Sequence, residues 1–315
     1  MPDSLILALD FGGTKHAAAV CRRGDRTWRG RTQALAPAQA DATVDLEIMA
    51  RLWKEALAGD EPSAVGVSFG GPVDFDRGIV RLSHHVPGWE GVPLKEILEH
   101  ELKSPVIVDN DANAGAIGEY HLGAGAGCQS MLYITVSSGV GGGWVLGGQP
   151  WRGAGSMAGE IGHMTLDPEG PVCLCGKRGC LERFASGRYI AEDIRHALQE
   201  TAGSGGLIRK LAGGELDRIT GRMVAEAAAL GDDLAKDRLD QAAWAIGAAI
   251  GNCANLISME RVILGGGVAG AGESFWERLR AEARRVALPE IEFKILPAAL
   301  GADAPLWGAA ILAGR

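Results

Sequence analysis

The sequence has no apolar run long enough to span a membrane, no basic run or basic helix, no Walker A motif, and only six cysteines among 315 residues. A spanning helix needs about 20 consecutive apolar residues, so the first absence excludes one, and neither end carries a lipidation signal. The second absence, together with a net charge of −8, argues against a nucleic-acid-binding surface and against docking to an anionic membrane. No signal peptide opens the chain, so a reducing, cytoplasmic setting is expected and disulfides are not. These exclusions leave small-molecule chemistry. With 47% hydrophobic and 22% charged residues the chain can bury one large core or, more naturally, two, and two lobes around a cleft are expected.

The scarce cysteines are clustered. Gly159-Glu160-Ile161-Gly162-His163 is followed by Cys173-Leu174-Cys175-Gly176-Lys177-Arg178-Gly179-Cys180-Leu181-Glu182. A Cys-x-Cys-x4-Cys pattern with a histidine upstream, and glycines where the loop must bend, matches a closed Cys₃His zinc site. The plainer alternative is three loop thiols and a hydrogen-bonded core histidine. All four positions of the site are filled by protein, so the zinc is expected to be structural rather than catalytic. The remaining Cys21, Cys128 and Cys253 lie far apart in sequence.

Two segments resemble each other. Leu5 to Leu9 runs into Asp10-Phe11-Gly12-Gly13-Thr14-Lys15 and then Ala17 to Val20; Met131 to Val136 runs into Ser137-Ser138-Gly139-Val140-Gly141-Gly142-Gly143 and then Trp144 to Leu146. Both read as strand, glycine turn, strand. A second pair follows in the same order, Ala64 to Ser68 ending in Gly70-Gly71 and Arg261 to Leu264 ending in Gly265-Gly266-Gly267. The second half carries an insertion, and the zinc loop lies in it. Glycine turns let backbone N–H groups approach phosphate oxygens, and Thr14 or Ser138 adds a hydroxyl donor, although most such turns simply close hairpins. Gly265 to Gly270 has the form of a dinucleotide fingerprint, yet too little chain follows for a doubly wound domain, so it reads as a strand end beside an adenosine pocket.

Between the halves, the apolar Val106-Ile107-Val108 ends in Asp109-Asn110-Asp111 before a small-residue helix. Carboxylates at the C-terminal end of a strand suit a general base for a substrate hydroxyl. They also suit a helix N-cap, and one of the three is expected to serve as one. Helical patterns run over 41–57, with Leu46, Met49 and Trp53 as a core stripe, and over 223–230, 242–257 and 273–283, whereas 201–206 reads as a surface loop.

Asp10 to Lys15, Gly71-Pro72-Val73-Asp74, Pro87-Gly88-Trp89, Asn110-Asp111-Ala112-Asn113, the Gly159 to His163 motif, the Cys173 to Glu182 loop and Gly265-Gly266-Gly267 together resemble the ROK family of sugar kinases and repressors. The resemblance covers nearly the whole chain, and its zinc loop is the specific part. It implies an α/β protein with a duplicated actin-like ATPase (ribonuclease H-like) fold. In that fold a small lobe over 1–115, completed by a C-terminal helix at 303–315, faces a large lobe over 116–302 that carries the zinc loop 159–182. Leu5 already starts the first strand, which leaves no helix-turn-helix extension ahead of it and favours the kinase branch.

The implied activity is ATP-dependent phosphorylation of a hexose, glucose to glucose 6-phosphate in the first place. The alternatives are an N-acetylmannosamine, N-acetylglucosamine or other hexose kinase, and, outside enzymes, a catalytically inactive sugar-binding regulator. By the resemblance Asp111 is the general base, and Asp10 orients Mg²⁺ with ATP. Gly12, Gly13, Thr14 and Lys15 form a first phosphate turn and Ser138, Gly139, Gly141 and Gly142 a second, while Gly266 and Gly267 approach adenosine. Gly71, Asn110, Asp111, Glu160, His163 and Glu182 address the sugar, and His163, Cys173, Cys175 and Cys180 bind zinc. His163 then has two duties, one ring nitrogen on the metal and the other toward a sugar hydroxyl. Ser137 stands where the family commonly has glycine, and His84-His85 where it commonly has Asn-Leu. A homodimer or homotetramer is expected.

Overall fold

The first strand is apolar on both faces because both faces are covered. A computed structural model describes residues 4–37, 39–83, 86–200 and 205–315; His84, His85 and 201–204 of the expected surface loop lie outside these. The chain begins β1 (Leu5–Phe11), β2 (Lys15–Arg22), β3 (Gly30–Leu35), α1 (Ala42–Leu57), β4 (Ala64–Phe69), β5 (Val73–Asp74), β6 (Ile79–Val80), α2 (Leu94–Leu102), β7 (Val106–Asn110) and α3 (Asp111–Leu122). It continues through β8 (Met131–Val136), β9 (Val140–Leu146), β10 (Gln149–Trp151), α4 (Leu181–Ala185), α5 (Gly187–Glu200), α6 (Gly206–Leu211) and α7 (Gly221–Ala229). The last elements are α8 (Asp233–Ile257), β11 (Arg261–Gly265), α9 (Glu273–Val286), β12 (Lys294–Pro297) and α10 (Ala304–Ala313).

Two five-stranded sheets have the orders β3-β2-β1-β4-β7 and β10-β9-β8-β11-β12, so the strand-turn-strand pair seen twice in the sequence occupies equivalent places in both. In the first sheet β1 runs antiparallel to β2, with Asp10 opposite Ala17, and parallel to β4, with Asp10 opposite Ser68. The chain divides into two units. One comprises Met1–Tyr133, Gly143–Gly159 and Ala298–Arg315; the other comprises Ile134–Gly142 and Glu160–Pro297.

In the first unit Leu7, Leu9 and Phe11 enter a core with Met49, Leu52 and Trp53 of α1 and with Trp89. Ile6 and Ala8, pointing the other way, pack with Leu306, Ala309 and Ala310 of α10. A strand buried on both faces reads as an uninterrupted apolar run, which is how β1 reads. α1 starts where Asp41 caps it, its carboxylate accepting the Val44 N–H at 2.9 Å, and stops at Ala58 in the left-handed region.

A buried polar pair sits against this core. Asp45 of α1 is buried, with His16 Nε2 at 2.8 Å from Oδ1 and the Trp89 indole N–H donating to Oδ2 at 3.0 Å. A buried carboxylate is tolerated only with such partners. They tie β2, just beyond the first glycine turn, to the Pro87-Gly88-Trp89 loop.

In the second unit α8 begins earlier than the alanine-rich pattern suggested, at Asp233, because Asp232 caps it by accepting the Ala235 N–H at 3.2 Å. The helix expected over 223–230 forms as α7, capped by Thr220. Among the described residues no helix is long and apolar enough to cross a membrane.

α10 lies against β4 so closely that a Cβ on Gly66 would run into the Ala309 carbonyl oxygen. The obstacle is backbone and cannot rotate away. Gly66→Ala is therefore expected to cost about 1–3 kcal/mol of stability, in the range of overpacked cores, measured by denaturant unfolding against the wild type. An unchanged midpoint would show that α10 is not seated on β4 in this way.

Candidate active-site residues and metal centre

The strand β7 ends and α3 begins at Asp109-Asn110-Asp111, and each of the three has a different task. Asn110 is the N-cap: its side-chain oxygen accepts from the N–H groups of Ala112 at 2.9 Å and Asn113 at 3.2 Å. Its amide nitrogen donates to the Gly71 carbonyl and to Asp111 Oδ1, both at 3.1 Å. Asp111 Oδ1 also accepts the Ala112 N–H at 2.8 Å. Gly71, Asn110 and Asp111 are thereby brought together in the first unit. The start of a helix is also where the backbone dipole stabilises an anion.

Asp109 is turned inward and fully buried. Arg152 reaches it with Nη2 at 2.6 Å and Nε at 3.0 Å from Oδ2, while Asn113 and the Asn110 N–H bond Oδ1 at 3.2 and 2.9 Å. Burial pushes the Asp109 carboxyl above its ordinary pKa, and the Arg152 contacts oppose that shift. The Arg152 guanidinium in turn lies 3.6 Å from the centroid of the Phe75 ring. Arg152 was not among the sequence candidates, since no local pattern pairs residues 43 positions apart.

Asp10 lies one residue from the end of β1, buried, with the Ser68 hydroxyl donating to Oδ1 at 2.7 Å. Gly12, Gly13 and Thr14 form the turn, and Lys15 already belongs to β2. Burial raises the Asp10 pKa, the Ser68 bond and the charges of Lys15 and His16 oppose it, and Asp303 adds to it.

In the second unit the turn after β8 is shorter than the glycine run suggested. It comprises Ser137, Ser138 and Gly139, with the Ser137 N–H donating to the Gly139 carbonyl at 2.9 Å, and β9 resumes at Val140. Gly141 and Gly142 therefore lie in the strand. The glycine that ends the run, Gly143, serves packing, because a Cβ there would meet the Ala112 carbonyl oxygen. Gly266 follows β11 at φ +87°, where a Cβ would run into the Val136 backbone, which places it beside the Ser137 turn. Gly267 opens the short helical turn Gly267–Gly270 ahead of α9, so the fingerprint-like run closes a strand rather than opening a helix directly.

Glu160 is exposed, His163 half-buried and Glu182 buried at the start of α4. The ligand atoms of His163, Cys173, Cys175 and Cys180 all lie within 4.8 Å of one another, and the Cys175 and Cys180 sulfurs are 3.6 Å apart. Zinc–sulfur bonds of about 2.3 Å in a tetrahedron put sulfurs about 3.8 Å apart, so this cluster fits the ion. Three thiols and an imidazole are also the donors zinc prefers. The loop reaches this shape through its backbone: the Cys173 N–H donates to the Lys177 carbonyl at 2.8 Å and the Leu181 N–H to the Met164 carbonyl at 2.8 Å. Burial pushes the Cys180 thiol up to about 12 and the Cys173 thiol in the same direction. At Cys175 burial is outweighed by the Lys177 N–H and the neighbouring thiols, and the pKa falls.

A sequence model of the ROK family matches residues 6–315. A glucokinase of Halalkalibacterium halodurans is 41% identical over 251 residues, 78% of this chain and 74% of that protein. A glucokinase of Thermotoga maritima is 31% identical over 312 residues, 98% of this chain and 97% of that protein. The crystal structure of a ROK family glucokinase from Streptomyces griseus, in complex with glucose and AMPPNP, is similar with a TM-score of 0.88 at 34% identity, covering 98% of this chain and 99% of that one. The fold is thus the actin-like ATPase fold of the ROK sugar kinases. The chain belongs to the ROK family.

Two outcomes are expected from these geometries. Asp10→Asn keeps an acceptor for Ser68 and removes the buried charge. Because the folded state holds the Asp10 proton more tightly than the unfolded chain, the stability contributed falls as pH climbs above the ordinary value of 3.8. The variant should melt above the wild type at about pH 7 and lose that advantage toward about pH 4, read by thermal unfolding across pH; equal melting temperatures at neutral pH would contradict the burial cost. For the metal centre, elemental analysis should find stoichiometric zinc, absent from Cys180→Ser. Since metal must displace thiol protons, a chelator should strip it faster at about pH 5 than at about pH 8.

Proposed function

We propose that the protein is an ATP-dependent hexose kinase that converts glucose to glucose 6-phosphate, with Asp111 as the general base. Similarity to glucokinases along nearly the whole chain supports the reaction. The observation that carries the assignment of the base is the bonding at the start of α3: Asn110 and the Ala112 N–H together hold one carboxylate oxygen of Asp111. A base that is oriented before the substrate arrives removes part of the entropic cost of the reaction.

In this reading Asp111 accepts the proton of the sugar hydroxyl as its oxygen bonds to the γ-phosphorus, and the bond from that phosphorus to the β–γ bridging oxygen breaks, releasing ADP. Such a transfer demands alignment and charge stabilisation more than covalent chemistry. The Gly12-Gly13-Thr14 turn with Lys15, and Ser138 and Gly139 with Gly141 and Gly142 in the adjoining strand, offer backbone and hydroxyl donors to the triphosphate. Gly266 and Gly267, at the end of β11, would approach the adenosine. Asp10 would orient the magnesium carried by ATP, which would neutralise phosphate charge. Gly71, Asn110, Glu160, His163 and Glu182 offer donors and acceptors to the ring hydroxyls, and His163, Cys173, Cys175 and Cys180 would hold a zinc ion that would keep their loop in shape. The family resemblance also supports a cytoplasmic homodimer or homotetramer.

The test is ADP release with Mg-ATP over glucose, mannose, allose, N-acetylglucosamine and N-acetylmannosamine, beside an Asp111→Asn control. Glucose should be turned over best, and the control should lose about 10²–10⁴ in kcat, the usual worth of general-base catalysis, while its glucose affinity stays within a few-fold. Preference for N-acetylmannosamine would reassign the substrate. Unchanged turnover in the control would remove Asp111 from the mechanism.

A further inference from the structure

The second glycine turn is held at its exit by the metal loop and at its entry by the start of α5. At its exit, the Val140 N–H donates to Glu182 Oε2 at 2.9 Å, with both residues buried. The Val140 carbonyl is covered from the other side by Gly162, where a Cβ would run into that oxygen. At its entry, the Ser137 carbonyl accepts the Gly187 N–H at 2.7 Å. The two exit contacts adjoin the four-ligand cluster, since Gly162 precedes His163 and Glu182 lies two residues after Cys180, while Gly187 starts the helix that follows α4. The two arms are joined to each other by the Leu181 N–H to Met164 carbonyl bond and by the Thr165–Cys180 bridge. One carboxylate oxygen of Glu182 is thus committed to a backbone N–H next to the phosphate turn.

We propose that Glu182 is a positioning residue for nucleotide binding, fixing the Ser137–Gly139 turn through the Val140 N–H, and that the metal loop sets the shape of the phosphate site through it. The inference rests on the kinase reading above. It differs from a role in sugar recognition alone, since a residue that only addressed the sugar would leave nucleotide affinity untouched. A buried N–H deprived of its acceptor in Glu182→Ala must find another partner by shifting the turn. Glu182→Gln keeps a side-chain oxygen at the same reach and restores that bond without the charge.

The experiment is direct calorimetric titration of the zinc-loaded protein with Mg-AMPPNP in the absence of sugar, followed by titration with glucose. Glu182→Ala is expected to weaken AMPPNP about tenfold, the order of one lost hydrogen bond to a charged acceptor. Glu182→Gln should bind AMPPNP within about twofold of wild type, as expected when an acceptor is replaced in place, while its glucose affinity falls. Wild-type protein stripped of zinc, still folded by circular dichroism, should show the same nucleotide weakening as Glu182→Ala. Glu182→Ala that binds AMPPNP as wild type does and loses only glucose overturns the proposal. Should Glu182→Ala not fold, Glu182→Gln losing as much affinity for AMPPNP as for glucose overturns it equally. A wild-type protein that binds no AMPPNP at all would overturn the kinase reading itself, an outcome separate from either of these.

Discussion

Four hydrogen bonds converge on the side chain of Asn110, and the geometry of the candidate base follows from them. Its oxygen serves the N–H groups that open α3, and its nitrogen serves the Gly71 carbonyl and the Asp111 carboxylate. An amide carries an acceptor oxygen and two donor hydrogens, so one side chain can accept from a helix N-terminus and still donate to both a carbonyl and a carboxylate. Aspartate in its place would cap the helix but repel Asp111; alanine would leave the helix start and the Gly71 carbonyl unserved. A requirement of secondary structure, the cap, is met by the same atoms that aim the acid beside it.

Beneath these groups the first unit spends buried polar residues freely. Asp109 with Arg152, Asp45 with His16 and Trp89, and Asp10 with Ser68 are each buried carboxylates that cost stability to desolvate and hold their position only through exact partners. Apolar residues of similar volume would be cheaper. What the polar ones supply is direction, since a hydrogen bond fixes an angle that a methyl contact does not. All three connect a residue at or beside a glycine turn, or beside the base, to an element remote in sequence.

Legibility from the sequence followed the range of the interactions. The apolar run of β1, the helix α1 and the His-Cys cluster were readable because their determinants are local: an alternation filled in on both faces, a periodic apolar stripe, four candidate ligands in one short segment. The glycine run after β8 misled in part, since Gly141 and Gly142 lie in β9 and Gly143 answers a close approach of the Ala112 carbonyl; composition does not tell a turn glycine from a packing glycine. Arg152 and Asp45 carried no signal at all. Their meaning comes from partners 43 and 29 positions away, which only the fold brings near. His84 and His85 fall outside the described residues.

The seating of α10 on β1 and β4 has a consequence for how the protein is made. One face of the first strand is covered by residues 304–313, so a ribosome working at about 5–20 residues per second finishes that cover on the order of tens of seconds after the strand has emerged. Until then Ile6, Ala8, Ala17 and Ala19 present a bare apolar sheet face to water. The small side chains there, mostly alanine, make that nascent face weakly adhesive at the same time as they let the last helix dock closely. Substitutions enlarging them should harm the yield of newly synthesised protein more than they harm the finished fold.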